Sequence, residues 1–191
     1  MNFVGHAVVA GCERADAAYA FGAMVPDLRR FAGGAPLPLD DALIDAGIAS
    51  HHRVDAAFHD HPQFRRWMAA LVDAMPVADR GARAAAHVAV ELAIDGVLLR
   101  RGAAAYADAV EWAQQRVDGM WGDVTARMRA GAIVDAYGSA AGVADRVVSV
   151  MERRPRLRPI APRRDDLRRA VAVVLPSIEP DVDGLVAELS A

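Results

Sequence analysis

The stretch GIASHHRVDAAFHDHP, residues 47 to 62, holds four of the chain's six histidines and two aspartates. It has no proline before its last residue, so it is expected to be helical. At about 100° per residue, His51, Asp55 and His59 fall within an arc of roughly 80° on one helix face, and His52 lies close to that face. A second row with the same four-residue spacing, His87, Glu91 and Asp95, runs along DRGARAAAHVAVELAIDGVLLR, residues 79 to 100, a segment otherwise rich in Ala, Val, Leu and Ile. Ionisable groups on so apolar a helix need ion pairing, hydrogen bonding or a metal, because burying them uncompensated is expensive. Neutral imidazole and carboxylate converging from facing helices suit a hard or borderline divalent ion, and an open coordination position would let that ion activate water. Asp27, which follows the helix-disturbing Pro26, and His6 are the remaining N-terminal candidates.

The same rows also fit a structural polar network without metal. His61, beside Pro62 at a helix boundary, and Asp60 are read as structural. All six histidines lie between residues 6 and 87, which puts a site in the N-terminal half. There is no glycine-rich phosphate loop of the Walker or dinucleotide type and no HExxH. Ser50 precedes His51, but nothing around it resembles a nucleophile elbow. Cys12 is expected to pack in the core. Trp67, Trp112, Trp121, Tyr19, Tyr106 and Tyr137 are expected to pack helices together. The arginine run from Arg153 to Arg169 reads as a solvated linker, or alternatively as a dock for an acidic partner or a phosphate.

The elements that must position these groups read as all-α: apolar positions recur at three and four rather than at two, and the β-branched residues are mostly isolated valines. Asn2 is expected to cap a first helix, and a second runs from about 15 to 31, where FAGGAPLPLDD breaks it. Asp40 or Asp41 caps a third, which carries the opening stretch, and Pro62 starts a fourth that runs to about Met75. Residues 79 to 100 form a central helix, and further helices are expected at about 103 to 118, 121 to 137 and 139 to 154. The segment RRPRLRPIAPRRDDLRR then reads as a linker before one or two C-terminal helices. A length of 191 residues fits one domain, with residues 155 to 191 packing on the domain formed by residues 1 to 154.

Composition narrows the function classes. Much of the 54% hydrophobic fraction is alanine, which favours helix but buries little surface per residue. All 22 basic residues are arginine, to which no function is attached. A net charge of -3 argues against bulk nucleic-acid binding. One cysteine leaves no intramolecular disulfide and no thiolate cluster, so any metal must be held by nitrogen and oxygen. The first residues break their apolar run with His6, Glu13 and Arg14, unlike a secretory signal, and no apolar stretch is long enough to span a membrane. A cytoplasmic protein is expected, with neither a membrane nor a nucleic acid as partner.

Taken in order, several segments resemble the acyl carrier protein phosphodiesterase family, whose members have an HD-like helical fold. MNFVGH looks like that family's MNFLAH opening. AFGAMVPD is similar to its GNxxxD segment, ending here on Asp27. GIASHHRVDAAFHDHP looks like GIxxHRxIDxxTDxHP, placing His51 and Asp55 on the most characteristic residues. AIDGVLLRRGAAAYADAV resembles YDHxLAxNWxxYS, with Asp95 on the aspartate and Tyr106 on the tyrosine. ARMRAGAIVDAYGSAAGVADRVVSVMERR follows the cadence of RMxxxDWLxxY…GIxxxLxxMxxR. The resemblance covers about residues 1 to 154. The chain departs from the pattern at Gly96, where the family has histidine, at His52 for arginine, and at Phe58 and His59 for threonine and aspartate. His87 and Glu91 are additional.

The resemblance implies a divalent-metal hydrolase, using manganese or magnesium, that cleaves the phosphodiester joining 4′-phosphopantetheine to a serine of acyl carrier protein. Iron or zinc would also suit the donors. The expected ligands are His51, Asp55 and Asp95, joined by Asp27 and His6, with His87 or Glu91 completing the shell. His52 or His59 would protonate the leaving oxygen, and Arg53 would hold phosphate. Two alternatives remain: a non-catalytic helical protein whose polar rows form a network or binding pocket, and a hydrolase of another small phosphoester.

Overall fold

The computed structural model describes residues 1–76, 79–130 and 136–191, and among these residues there is no strand. The helices are α1 (Phe3–Glu13), α2 (Ala17–Leu28), α3 (Ala42–Asp60), α4 (Pro62–Asp73), α5 (Arg80–Arg100), α6 (Ala104–Gln114), α7 (Gly119–Arg129), α8 (Ala140–Glu152), α9 (Arg164–Ile178) and α10 (Val182–Leu189). None of them is long and apolar enough to cross a membrane. The expected helix from 121 to 137 falls partly on residues 131–135, outside the described residues.

Local side-chain caps account for half of the helix starts. The side chains of Asp16, Asp41, Asp79 and Ser139 accept hydrogen bonds from the backbone N–H groups of Tyr19, Leu43, Ala82 and Gly142, satisfying donors that the first turn leaves unpaired. His61 does the same for α4, its Nδ1 accepting from Gln63 N at 3.1 Å, with Pro62 in the first turn. Its Nε2 lies 2.9 Å from Glu188 of α10, so His61 joins the C-terminus to α4.

The start of α1 is different. Asn2 occupies the cap position but its side chain makes no capping bond. The cap is tertiary: Asp95, in the middle of α5, accepts from Gly5 N at 2.9 Å, from Val4 N at 3.3 Å and from Asn2 Nδ2 at 3.0 Å.

α5 is central, packing against α1, α4, α8, α9 and α10. The C-terminal helices belong to the same core, which includes Leu167, Val171, Ile178, Val182 and Leu185. α9 begins at Arg164, inside the arginine-rich segment expected to be a linker. Asp165 and Asp166 in its first turn complement the helix dipole and offset the poor local propensity of the prolines before them. A second correction concerns Cys12, which is exposed rather than packed in the core. The buried face of α1 is formed by Phe3, Val4, His6, Ala7, Val9 and Ala10, and Cys12 falls in the last turn on the solvent side.

Two glycines determine how α2 meets α3. A Cβ on Gly47 would lie 2.2 Å from Tyr19 O, and one on Gly22 would lie 2.3 Å from Ile44 O. The two backbones therefore approach as closely as only glycine permits, which brings the end of α2 over the histidine row of α3. Gly96 has a similar constraint: a Cβ there would lie 2.0 Å from Tyr137 O. A side chain as large as histidine has no room at this position because the backbone around Tyr137 fills it.

Candidate metal centre

α1, α2, α3 and α5 bring most of the candidate residues together, in two clusters rather than one. The inner cluster is His6, Asp27 and His51, each offering a ligand atom within 4.8 Å of the others. The outer cluster is His59, His87 and Glu91. Asp55 lies between them, with Oδ1 3.8 Å from His6 Nε2 and Oδ2 3.4 Å from His59 Nδ1.

The inner cluster is desolvated. His6 is 1% exposed, and neither of its ring nitrogens has a hydrogen-bond partner among the described residues; nor has Asp27 Oδ2. His51 is held by Ala23 O, 2.8 Å from its Nδ1. That bond puts the proton on Nδ1 and leaves the Nε2 lone pair available, the arrangement usual for an imidazole ligand. The close passage of α2 over Gly47 creates it. The His6 and His51 rings lie with centroids 3.9 Å apart. Burial lowers His6 to about 4 against the pull of Asp55, and lowers His51 against the Ala23 carbonyl. Burial also raises Asp27 to about 6, with Arg30 opposing and the charges of Glu91 and Asp55 adding. Both imidazoles are thus neutral near pH 7, as ligands must be.

The outer cluster is half-exposed. His59 Nε2 is 3.1 Å from His87 Nε2 and 3.3 Å from Glu91 Oε1, and His87 Nε2 is 3.2 Å from the same oxygen. These separations approach the roughly 3.4 Å expected between tetrahedral ligands with bonds of about 2.1 Å. The Met1 α-amino nitrogen stands between the two carboxylates, 3.3 Å from Glu91 Oε1 and 3.5 Å from Asp55 Oδ1. Burial works to raise both carboxyls. Hydrogen bonds from His59 and His87 and the nearby ammonium outweigh it at Glu91, holding that group well below the usual carboxylate range. At Asp55, His6, the ammonium and His59 outweigh it and bring the carboxyl down to about 2.

Three candidates lie outside both clusters. Asp95 shares the row of His87 and Glu91 but is completely buried, and its oxygens are occupied by the three donors at the start of α1. Burial raises its carboxyl to about 8, against the Gly5 and Val4 N–H groups and with the charge of Asp27 adding. His52 is exposed and belongs to neither cluster, its ring lying edge-on to that of His51 at 5.3 Å between centroids. Arg53 is bonded to Glu13, whose other oxygen accepts from Tyr19 Oη at 2.6 Å and Ser50 Oγ at 2.7 Å. Arg53 is therefore engaged in a network on another side of α3.

The donor set fits a divalent ion: two imidazoles with a carboxylate in each cluster, and buried inner atoms that otherwise lack partners. The pattern of residues had not singled out Asn2, which binds Asp95; its only signal was its place at the cap. No family model matches the chain, and neither does a curated protein or a solved structure.

Proposed function

We propose that this protein is a metal-dependent phosphoester hydrolase, with the phosphodiester of holo acyl carrier protein or a small phosphoester as substrate, acting in the cytoplasm. The observation that carries the reading is the unpartnered inner cluster, in which buried His6 and Asp27 atoms face a His51 ring locked in the ligand tautomer. Each unsatisfied buried polar atom costs about 1–3 kcal/mol, and a cation is the partner common to imidazole nitrogen and carboxylate oxygen.

His6, Asp27 and His51 would hold the ion, with Asp55 reaching it from between the clusters. When bound, manganese, magnesium, iron or zinc would lower the pKa of a water and polarise a phosphoryl oxygen. His59 holds its ring between Asp55 and Glu91 with its side chain 31% exposed, so it is placed to pass a proton to a leaving alcohol oxygen. Asp95 acts at one remove, as a positioning residue: by gripping the start of α1 it fixes His6. Asp55 and Glu91 are both held in the ionised form, the form in which a carboxylate binds a cation.

A second reading has one observation in its favour. The outer cluster satisfies itself through the His59, His87, Glu91 and Met1 α-amino contacts, so a structural polar network accounts for that half. Elemental analysis of wild type beside a His51→Ala, Asp55→Ala double variant, with folding checked by circular dichroism, separates the two. Bound divalent metal that disappears from the folded variant supports the hydrolase, and assays on holo acyl carrier protein, generic phosphodiesters and monoesters then assign the substrate. A wild-type protein that stays metal-free after reconstitution leaves only the structural network.

A further inference from the structure

A cavity of about 530 Å³ adjoins the outer cluster, with His87 and Glu91 forming part of its wall. Arg30, Arg146, Arg153 and Arg154 line the same cavity. They come from three places in the chain: the turn after α2, the face of α8, and the turn that follows it. Arg146, Val150 and Arg153 are spaced at i, i+4 and i+7, so one stripe of α8 turns two guanidinium groups and an apolar side chain toward the cavity. Glu91 is the single carboxylate among its described lining residues. None of the four arginines lies within ion-pair distance of a carboxylate among the described residues, although Arg53, Arg65, Arg100, Arg101, Arg164 and Arg169 all do.

Four guanidinium groups around one concavity repel one another unless an anion is shared between them. Their planar donor forks match phosphate oxygens, and the volume is that of a small-molecule site rather than of a single ion. Phe31, Val88, Leu92 and Val150 give the remaining wall an apolar character suited to an organic portion. Arg30 stacks over the Phe31 ring at 4.9 Å from its centroid, which restrains that guanidinium at the cavity edge.

We propose that this cavity binds a small organic phosphate carrying more than one phosphoryl group, with a non-reacting phosphate among Arg30, Arg146, Arg153 and Arg154 and the rest of the molecule extending toward His87 and Glu91. The proposal rests on the hydrolase reading only for which end of the ligand would react; the anion site stands on the arginines alone.

The test is isothermal titration of metal-stripped, full-length protein with inorganic pyrophosphate and, separately, orthophosphate. Wild type is expected to bind pyrophosphate more tightly than orthophosphate, with affinity falling as salt rises. An Arg146→Gln, Arg153→Gln variant, altered at solvent-accessible positions, is expected to bind about tenfold more weakly or worse, from the loss of two charge-assisted contacts. The His51→Ala, Asp55→Ala variant is expected to bind as wild type does. Absence of pyrophosphate binding in wild type, or equal binding by the arginine variant with an unchanged circular dichroism spectrum, overturns the proposal. Arginine-dependent binding in a protein that takes up no metal removes the hydrolase reading and leaves the anion site; metal uptake without pyrophosphate binding removes the anion site alone.

Discussion

The inner cluster of His6, Asp27 and His51 and the outer cluster of His59, His87 and Glu91 use the same two donor types, about two helical turns apart on α3, yet their surroundings treat them oppositely. In the inner cluster both His6 nitrogens and Asp27 Oδ2 lack hydrogen-bond partners among the described residues, and burial dominates: Asp27 rises to about 6 and His6 falls to about 4. In the outer cluster the groups bond to one another, and Glu91 is held in its ionised form. The difference teaches that spacing alone does not define a metal site. The inner trio keeps buried polar atoms without partners, whereas the outer trio is bonded within itself and to the Met1 α-amino group.

The comparison can be broken most decisively by single substitutions on each side. His51→Ala is expected to abolish tight metal uptake and turnover, while His87→Ala leaves the inner metal in place; metal analysis of both proteins checks this. Equal metal loss from both would merge the two clusters into one site. Saturating metal, at about 100 times its Kd, adds about 2.7 kcal/mol and is expected to raise the Tm by roughly 5–10 °C for a chain of this size, an increase that His51→Ala removes and His87→Ala keeps.

Asp95 tests whether position in the row or burial decides a role. Replacing it by alanine leaves three donors unpaired in a fully buried place, so Asp95→Ala is expected to cost about 3–5 kcal/mol in denaturant unfolding, whether or not metal is present. A cost that vanishes on chelation would instead make Asp95 a ligand.

A smaller effect sharpens the electrostatic contrast. Asp27 must be ionised to bind metal, so inner-site affinity is expected to rise between about pH 5 and about pH 7 as its proton leaves, with proton uptake or release read by calorimetry in two buffers. His6 adds no proton there, being neutral above about 4. In the metal-free protein the signs differ. The raised Asp27 costs stability above about 6, and that cost disappears as pH falls toward 3.8; the contribution of the lowered His6 is fully present above 6.5 and is lost as pH falls toward about 4. Asp27→Asn is expected to flatten the pH dependence of metal uptake along with weakening it. The smallest effect is expected at exposed His52: His52→Ala leaves metal content unchanged and stability within about 0.5 kcal/mol.

Much of this arrangement was legible in the residues. The three-to-four periodicity, the capping aspartates and the Pro62 start mark the helices, because these depend on bonds within a few residues of one another. The rows His51, Asp55, His59 and His87, Glu91, Asp95 are legible for the same reason. The exposure of His52 was not legible, since a nearby helix angle does not say which neighbours cover a side chain. Arg53 was read toward the site because its engagement with Glu13 crosses 40 residues of sequence.

By itself, then, the sequence determined an all-α chain and which side chains share a helical face, since 3.6 residues per turn is a local property of the backbone. Tertiary structure alone decided which faces meet. Backbone approach at Gly22 and Gly47 joins His51 to Ala23, Asp95 is drawn to the start of α1, the polar rows divide into a buried cluster and a partly exposed one, and arginines from separate elements converge on one cavity. Each of these depends on packing between segments distant in the chain, where desolvation and shape, rather than helical periodicity, set the outcome.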